Sequence, residues 1–307
     1  MNFLALANMM PGVAAQGLIW SIMAIGVYIT YKVLDVADLT VDGTMCTGGA
    51  VFIMLTISGC NVWVALLCSF LAGMLAGLVT GLLHTACGIP AILAGILTQL
   101  SLYSVNLRIM GQSNRPISVD KYPLMVSARN VREWGLDNPI LVSALFVLAT
   151  IGILYWYFGT EQGCGMRATG ANPNMARAQG INTNFNKVLG LMLSNGLVAL
   201  SAALLAQYQG FADVNSGRGA IVIGLAAVII GEVLFSKIFH NFALKLLAVV
   251  IGSILYYLVY QIVIWLGLKS DDMKLITALI VALFLSVPYW KKRYFGKKAG
   301  KGVGASC

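Results

Sequence analysis

Charge is scarce in this chain: 10% of its 307 residues are Asp, Glu, Lys or Arg, against 59% hydrophobic. A soluble domain carries about 25% charged residues, so a water-facing surface is excluded for most of the chain and a polytopic membrane protein is implied. Histidine is scarcer still, with two copies, His84 and His240. Neither has a partner at helical spacing. HExxH, GxSxG, phosphate-loop and paired-Cys patterns are absent, which removes the constellations an intramembrane enzyme would use. The six cysteines lie mostly in or beside apolar runs without metal-ligand spacing, so they read as structural thiols. No cofactor is implied. The N-terminus lacks a basic n-region and does not resemble a cleaved signal peptide. The formal charge of +9 carries no nucleic-acid reading, because in a bilayer the side on which each Lys and Arg lies matters more than their sum.

What is present is a series of apolar runs. A spanning helix needs ~20 apolar residues, and the chain offers about nine candidates (eight to ten) by that measure: 13–31, 39–57, 62–83, 89–109, 140–159, 188–208, 219–235, 242–268 and 275–288. The expected fold is an all-α polytopic membrane helical bundle, with one transmembrane domain over 1–290 and a basic tail over 291–307. That tail holds Lys291, Lys292, Arg293, Lys297, Lys298 and Lys301, and such a cluster beside a span stays in the cytoplasm. Counting back places the N-terminus outside, the loop 160–187 inside with Arg167, Arg177 and Lys187, and the loop 110–138 outside. The outer loop carries Arg115, Lys121, Arg129 and Arg132, which runs against the positive-inside pattern; a re-entrant span would move the N-terminus inside. Tyr155, Trp156, Tyr157 and Phe158 on one side, and Tyr256, Tyr257, Tyr260 and Trp265 on the other, read as interfacial belts.

Two stretches look like broken helices. Asp35 to Thr44 precedes the second span, and Gly210 to Gly219 precedes the seventh. Each is acidic, contains glycine and leads into a short small-residue segment. They fall on opposite sides in the count, as an inverted internal repeat would place them. Ordinary interfacial loops are the alternative.

Between the fifth and sixth spans lies a polar island, Gly165 to Asn182. Asn172 suits a helix N-cap with Pro173 at the first helical position, and Gly180 suits a left-handed stop. The segment between is about two turns, too short to hold alone in water. It must pack on something, and it reads as a lever docked into a soluble partner.

For a solute pathway, Gln99, Tyr103 and Asn106 follow i, i+4, i+7 spacing and share one helix face. Uncharged polar groups in one stripe suit a zwitterionic or hydroxylated solute, or else bond between helices. Asp42, Thr44, Asp213, Arg218 and Glu232 complete the candidate set. Arg218 near the outer mouth would contact a carboxylate on the solute or an acidic patch on a binding protein. Glu232 would pair with Arg177 or Lys237, or line an inner gate. Arg108 is expected to snorkel to the outer interface. A buried ionisable relay of the kind found in proton-driven transporters is lacking, so a secondary transporter requires Glu232 to carry the coupling.

Arg167-Ala168-Thr169-Gly170-Ala171-Asn172-Pro173, followed by Ala176, Ala178 and Gly180-Ile181-Asn182, resembles the cytoplasmic loop of permease subunits of bacterial ABC importers, in the branched-chain amino acid and ribose permease superfamily. Asp38 to Gly43, Leu102 to Gly111 and Ile221 to Glu232 look like its branch of amino-acid permeases of tryptophan/tyrosine type. The resemblance spans nearly the whole chain. It implies a pair of permease chains, expected to be a homodimer, in the cell membrane. It also implies a dimeric ABC ATPase on a separate polypeptide, since no Walker motif occurs here, and a solute-binding protein outside. The coupling contacts it implies are Asn172, Pro173, Met175 and Arg177, with Ala176 and Ala178 permitting close approach and Gly180 closing the segment. Asn215-Ser216-Gly217-Arg218-Gly219 departs from the small apolar segment usual in relatives.

Overall fold

The computed structural model describes residues 3–118, 121–122, 124–132, 138–235, 239, 241–265 and scattered positions between 275 and 286. The ninth expected span lies largely outside the described residues, and Lys237, His240 and the basic tail lie wholly outside them. The helices are α1 (Phe3–Tyr28), α2 (Thr40–Ile57), α3 (Val62–Thr85), α4 (Ala91–Met110), α5 (Pro139–Gly159), α6 (Glu161–Ala171), α7 (Pro173–Ala178), α8 (Thr183–Gln209), α9 (Ala220–Phe235) and α10 (Phe242–Trp265). Among the described residues seven helices are long and apolar enough to cross a membrane, and Ala220–Phe235 is a shorter apolar helix. The all-α polytopic bundle is therefore correct.

Helix α8 is the axis of the bundle. It is buried along most of its length, and small residues let its neighbours approach. On α3, a side chain at Gly73 or Gly77 would run into the carbonyls of Asn195 or Leu191. On α2, one at Gly48 would strike Ala199. In a bilayer, where lipid tails solvate apolar side chains as well as Leu does, close backbone approach is what holds helices together. Outward-facing leucines and valines on α3, α4 and α5 are exposed, as expected for surfaces facing lipid or another apolar chain.

The α1–α2 connection is a genuine interruption. The chain leaves α1 through a π-helical turn, Ile29–Val33. Asp35 then takes a left-handed conformation with φ of 54°, which a short polar side chain tolerates better than an apolar one. The segment returns into the bundle, where Asp38 is buried. Asn195 Nδ2 donates to Asp38 Oδ2 at 2.7 Å, and the Thr40 amide donates to Asp38 Oδ1 at 2.9 Å. Thr44 Oγ1 donates to Asn195 Oδ1 at 2.7 Å, so both ends of one buried amide are used. Beside it, the hydroxyls of Thr40, Thr80 and Thr98 form a chain joining α2, α3 and α4, with spacings of 2.7 and 3.0 Å.

The strands are a feature the sequence analysis does not foresee. β1 (Asn114–Pro116) and β2 (Phe211–Asp213) pair antiparallel in a two-stranded ribbon, with Arg115 opposite Ala212. The ribbon ties the chain leaving α4 to the chain entering α9. Helix α6 is likewise unforeseen; its helical part begins at Glu161, capped by Thr160 Oγ1, inside what reads as a loop.

The Tyr256–Tyr257 assignment needs correction. Both are buried, at 2% and 7% exposure, and Tyr257 packs on Trp20 with ring centroids 5.7 Å apart. They face the interior of the bundle instead of the lipid. Tyr155 and Trp156 are exposed and do suit an interfacial belt.

Candidate functional site

The two interrupted stretches, which the count of crossings puts on opposite sides, meet inside the bundle. Helix α9 starts after Gly219, which has φ of +88° and no side chain to cap the free amides of the first turn. Asp42, in the first turn of α2, supplies the cap from another helix. Its Oδ2 accepts from the Gly219 amide and its Oδ1 from the Ile221 amide, both at 2.9 Å. A carboxylate at a helix N-terminus is favourable both as acceptor and as charge. One helical turn further along α2, Cys46 Sγ donates to the Val214 carbonyl at 3.0 Å and accepts from the Gly217 amide at 3.3 Å. Gly217 is pressed against the Asp42 carbonyl so closely that a side chain would not fit.

This junction forms one wall of a cavity of about 330 Å³, at the small end of the ~300–1,000 Å³ usual for small-molecule sites. The facing wall is the polar stripe of α4. Gln99, Tyr103 and Asn106 line the cavity together with Asp42 and Arg218. Asn106 is fully buried. Its Nδ2 reaches the Gly43 carbonyl at 3.5 Å, while its Oδ1 has no hydrogen-bond partner among the described residues. An unpaired buried amide oxygen is costly and leaves an acceptor open. The Arg218 guanidinium lies over the Tyr103 ring, 5.9 Å from its centroid, a cation–π distance. Arg218 is exposed, and it borders a second cavity of about 590 Å³ lined by Trp20, Tyr256, Tyr257 and Tyr260. Such a junction offers a cation for a carboxylate, an acceptor for an N–H or O–H group, and aromatic surface next to both.

Of the candidate pathway residues, Asp42, Gln99, Tyr103, Asn106 and Arg218 are thus brought together. Thr44 is buried in the Asn195 network and Asp213 caps its own turn, accepting from the Asn215 amide at 2.7 Å. Neither lines the cavity. Glu232 lies twelve residues into α9 from Ala220, ~18 Å away along the helix. Its partner is Lys32, at 2.9 Å, instead of the expected Arg177 or Lys237: Arg177 Nε donates to Thr183 Oγ1 at 2.8 Å, and Lys237 lies outside the described residues. Sequence reasoning missed Cys46 and Asn195. Only their position among small residues hints at either, and their partners lie more than 150 residues away along the chain.

The polar island forms a second candidate surface. Asn172 Oδ1 accepts from the amides of Asn174 and Met175, both at 3.1 Å, with Pro173 at the first helical position. Gly180 has φ of +78°; its amide reaches the Arg177 carbonyl and the Ile181 amide reaches the Ala176 carbonyl, both at 3.0 Å. This paired closure is the Schellman arrangement. Pro173, Met175, Arg177 and Ala178 face outward, and Met175 is 63% exposed. Ala176 turns inward and is buried, so it anchors α7 to its own chain.

Residues 9–287 match the family described as branched-chain amino acid transport system / permease component. The chain is 42% identical over 274 residues to a tyrosine transport system permease protein of Clostridioides difficile, covering 89% of each chain. It is 24% identical over 234 residues to the ribose import permease protein of Escherichia coli, covering 75% of this chain and 70% of that one. Among solved structures, PsaBC from Streptococcus pneumoniae in complex with Fab aligns with a TM-score of 0.52 at 17% identity, over 93% of this chain and 94% of that chain, a likeness of fold.

Proposed function

The chain belongs to the family of branched-chain amino acid transport permease components, and from that premise we propose that it forms the membrane pathway of an ATP-driven importer for an amino acid with an aromatic or branched side chain. Two copies would form the pathway in the bacterial cell membrane. A separate dimeric ABC ATPase supplies the energy and an extracytoplasmic binding protein delivers the solute. The observation that carries the reading is α7: a rigidly capped six-residue helix that presents Pro173, Met175, Arg177 and Ala178 outward while one alanine holds it to the bundle. An apolar methionine held out on a short polar helix is suited to a groove on another protein. In this arrangement the segment 160–187 and the tail 291–307 face the cytoplasm, and 110–138 faces outward. The cavity between α2, α4 and α9 then serves as a checkpoint near the outer end. Arg218 holds the solute carboxylate there and the Asn106 oxygen accepts from its ammonium.

The similarity to a ribose import permease, with the uncharged stripe of Gln99, Tyr103 and Asn106, supports a hydroxylated solute as the second reading. Proteoliposomes holding this chain with its ATPase and binding protein decide the matter. L-tyrosine uptake is expected only with ATP on the α7 side. Uptake driven by a proton or sodium gradient without nucleotide would overturn the importer. Arg218→Gln lowers amino-acid uptake severalfold in the first reading and leaves pentose uptake unchanged in the second.

A further inference from the structure

At the end of the bundle that carries α6 and α7, two cavities share a wall. One, of about 560 Å³, lies between the π-helical end of α1, α6 and the first turn of α10, and Lys32, Arg167 and Lys245 line it with Asp35. The other, of about 480 Å³, is lined by Tyr155, Trp156 and Phe158 at the end of α5. Arg167 and Phe242 belong to both, so a basic and an aromatic hollow lie side by side across these two residues.

The basic hollow carries more positive charge than it uses. Lys32 is paired with Glu232. Arg167 spends donors on the Phe158 carbonyl at 3.0 Å and on Cys164 Sγ at 3.2 Å, which leaves part of its five-donor fork open. The Lys245 ammonium is exposed and has no hydrogen bond or ion pair among the described residues. Asp35 is the carboxylate in the lining. In the aromatic hollow, Trp156 is 71% exposed at the end of an apolar span, the position where amphipathic rings sit at lipid headgroups.

We propose that this pair of hollows binds an anionic phospholipid, with its phosphate between Arg167 and Lys245 and its glycerol and upper acyl chain against Trp156 and Tyr155, both exposed. Free phosphate would use the basic hollow alone and leave the aromatic one unfilled; the adjacency of the two favours the lipid. Basic pockets between spans at a membrane surface attract anionic headgroups in general. The site also abuts the joint that carries α7, because Gly170 of α6 packs directly on the Val33 carbonyl at the end of α1. A lipid seated there braces α6 against α1.

The test is native mass spectrometry of the full transport complex in detergent, titrated with phosphatidylglycerol, phosphatidylethanolamine or phosphatidylcholine. Phosphatidylglycerol is expected to be retained in preference to the other two. Lys245→Gln is expected to lower that preference about fivefold, the usual effect of one basic residue near an anionic surface. Trp156→Ala is expected to weaken all three lipids alike. Equal retention of phosphatidylglycerol and phosphatidylethanolamine by the unmodified complex would overturn the proposal. So would an unchanged preference in a folded Lys245→Gln complex, or displacement of the lipid by millimolar inorganic phosphate alone. The lipid comparison on the unmodified complex decides the matter even if a variant fails to assemble.

Discussion

The side-chain amide of Asn195 donates to the carboxylate of Asp38 across 2.7 Å, joining the middle of α8 to the interruption between α1 and α2. Neither residue has water to fall back on, since both are buried, and the amide's other end is held by Thr44. Asn195→Asp would set two carboxylates against each other. The expected cost is about 1–3 kcal/mol, that of a buried group losing its partner, read as a lower melting temperature of the detergent-solubilised protein. Adding Asp38→Asn to that variant should restore most of the loss, because the swapped pair can form the same bond in reverse. A double variant no more stable than Asn195→Asp would show that the bond is not what holds the break.

Removal of the in-trans cap gives the second expectation. Asp42→Ala leaves the Gly219 and Ile221 amides without their acceptor. Loss of an N-cap costs about 1 kcal/mol, so the protein should still assemble. Helix α9 should fray at its start, with faster amide hydrogen exchange over 219–222 and unchanged exchange in α3. Uniform acceleration across the bundle would mean that Asp42 supports the whole fold and not this junction.

The outward face of α7 is tested most cleanly at Met175. Arg177 is a less clean choice because its Nε is bonded to Thr183, so Arg177→Glu disturbs the foot of α8 as well. The Met175 side chain is 63% exposed and has no polar partner for Met175→Glu to break among the described residues. The substitution should leave the unfolding free energy within about 0.5 kcal/mol of the parent, as exposed substitutions do. It should reduce co-purification of the ATPase by at least an order of magnitude. Undiminished co-purification would remove α7 from the contact.

Gly77 tests the packing of α3 on α8. Gly77→Val forces a branched side chain into the Leu191 carbonyl. Overpacking of this kind costs about 1–3 kcal/mol, and expression of folded protein should fall. Gly152 on α5 has open space beside it, so Gly152→Val is the control and should be tolerated.

The extent of what the sequence discloses follows from the range of each interaction. Local signals were readable: the second span is expected at 39–57 and is found at Thr40–Ile57, and Asn172, Pro173 and Gly180 fulfil the capping roles that their chemistry suggests. The stripe of Gln99, Tyr103 and Asn106 follows from helical period alone and does line a common cavity. Contacts between distant segments were not readable. The Asp42 cap on α9, the Cys46 contacts and the Lys32–Glu232 pair each join residues far apart in sequence, and no periodicity records them. The three-residue strands are too short to show alternation. Helix α6 was hidden because its glycines and polar residues read as loop. Tyr256 and Tyr257 were misread because aromatic residues near a helix end suit a lipid boundary and a packed interior equally, and composition cannot tell these apart.

Three asparagine or threonine caps follow one another at the end of the bundle where α6 and α7 lie: Thr160 on α6, Asn172 on α7 and Asn182 on α8. Each joint is a residue or a few long, and Arg177 is clasped to Thr183 across the last of them. The connections from α6 to α8 are therefore short and capped at each helix start. A displacement delivered to the exposed rim of α7 has no slack strand in which to dissipate and arrives at the base of α8. From there α8 leads to Ser194, whose hydroxyl donates to the Gly26 carbonyl of α1 at 2.8 Å, and to Asn195 beside it, twelve residues or ~18 Å up the helix axis, so such a stroke would arrive together at α1 and at the polar knot of the α1–α2 interruption.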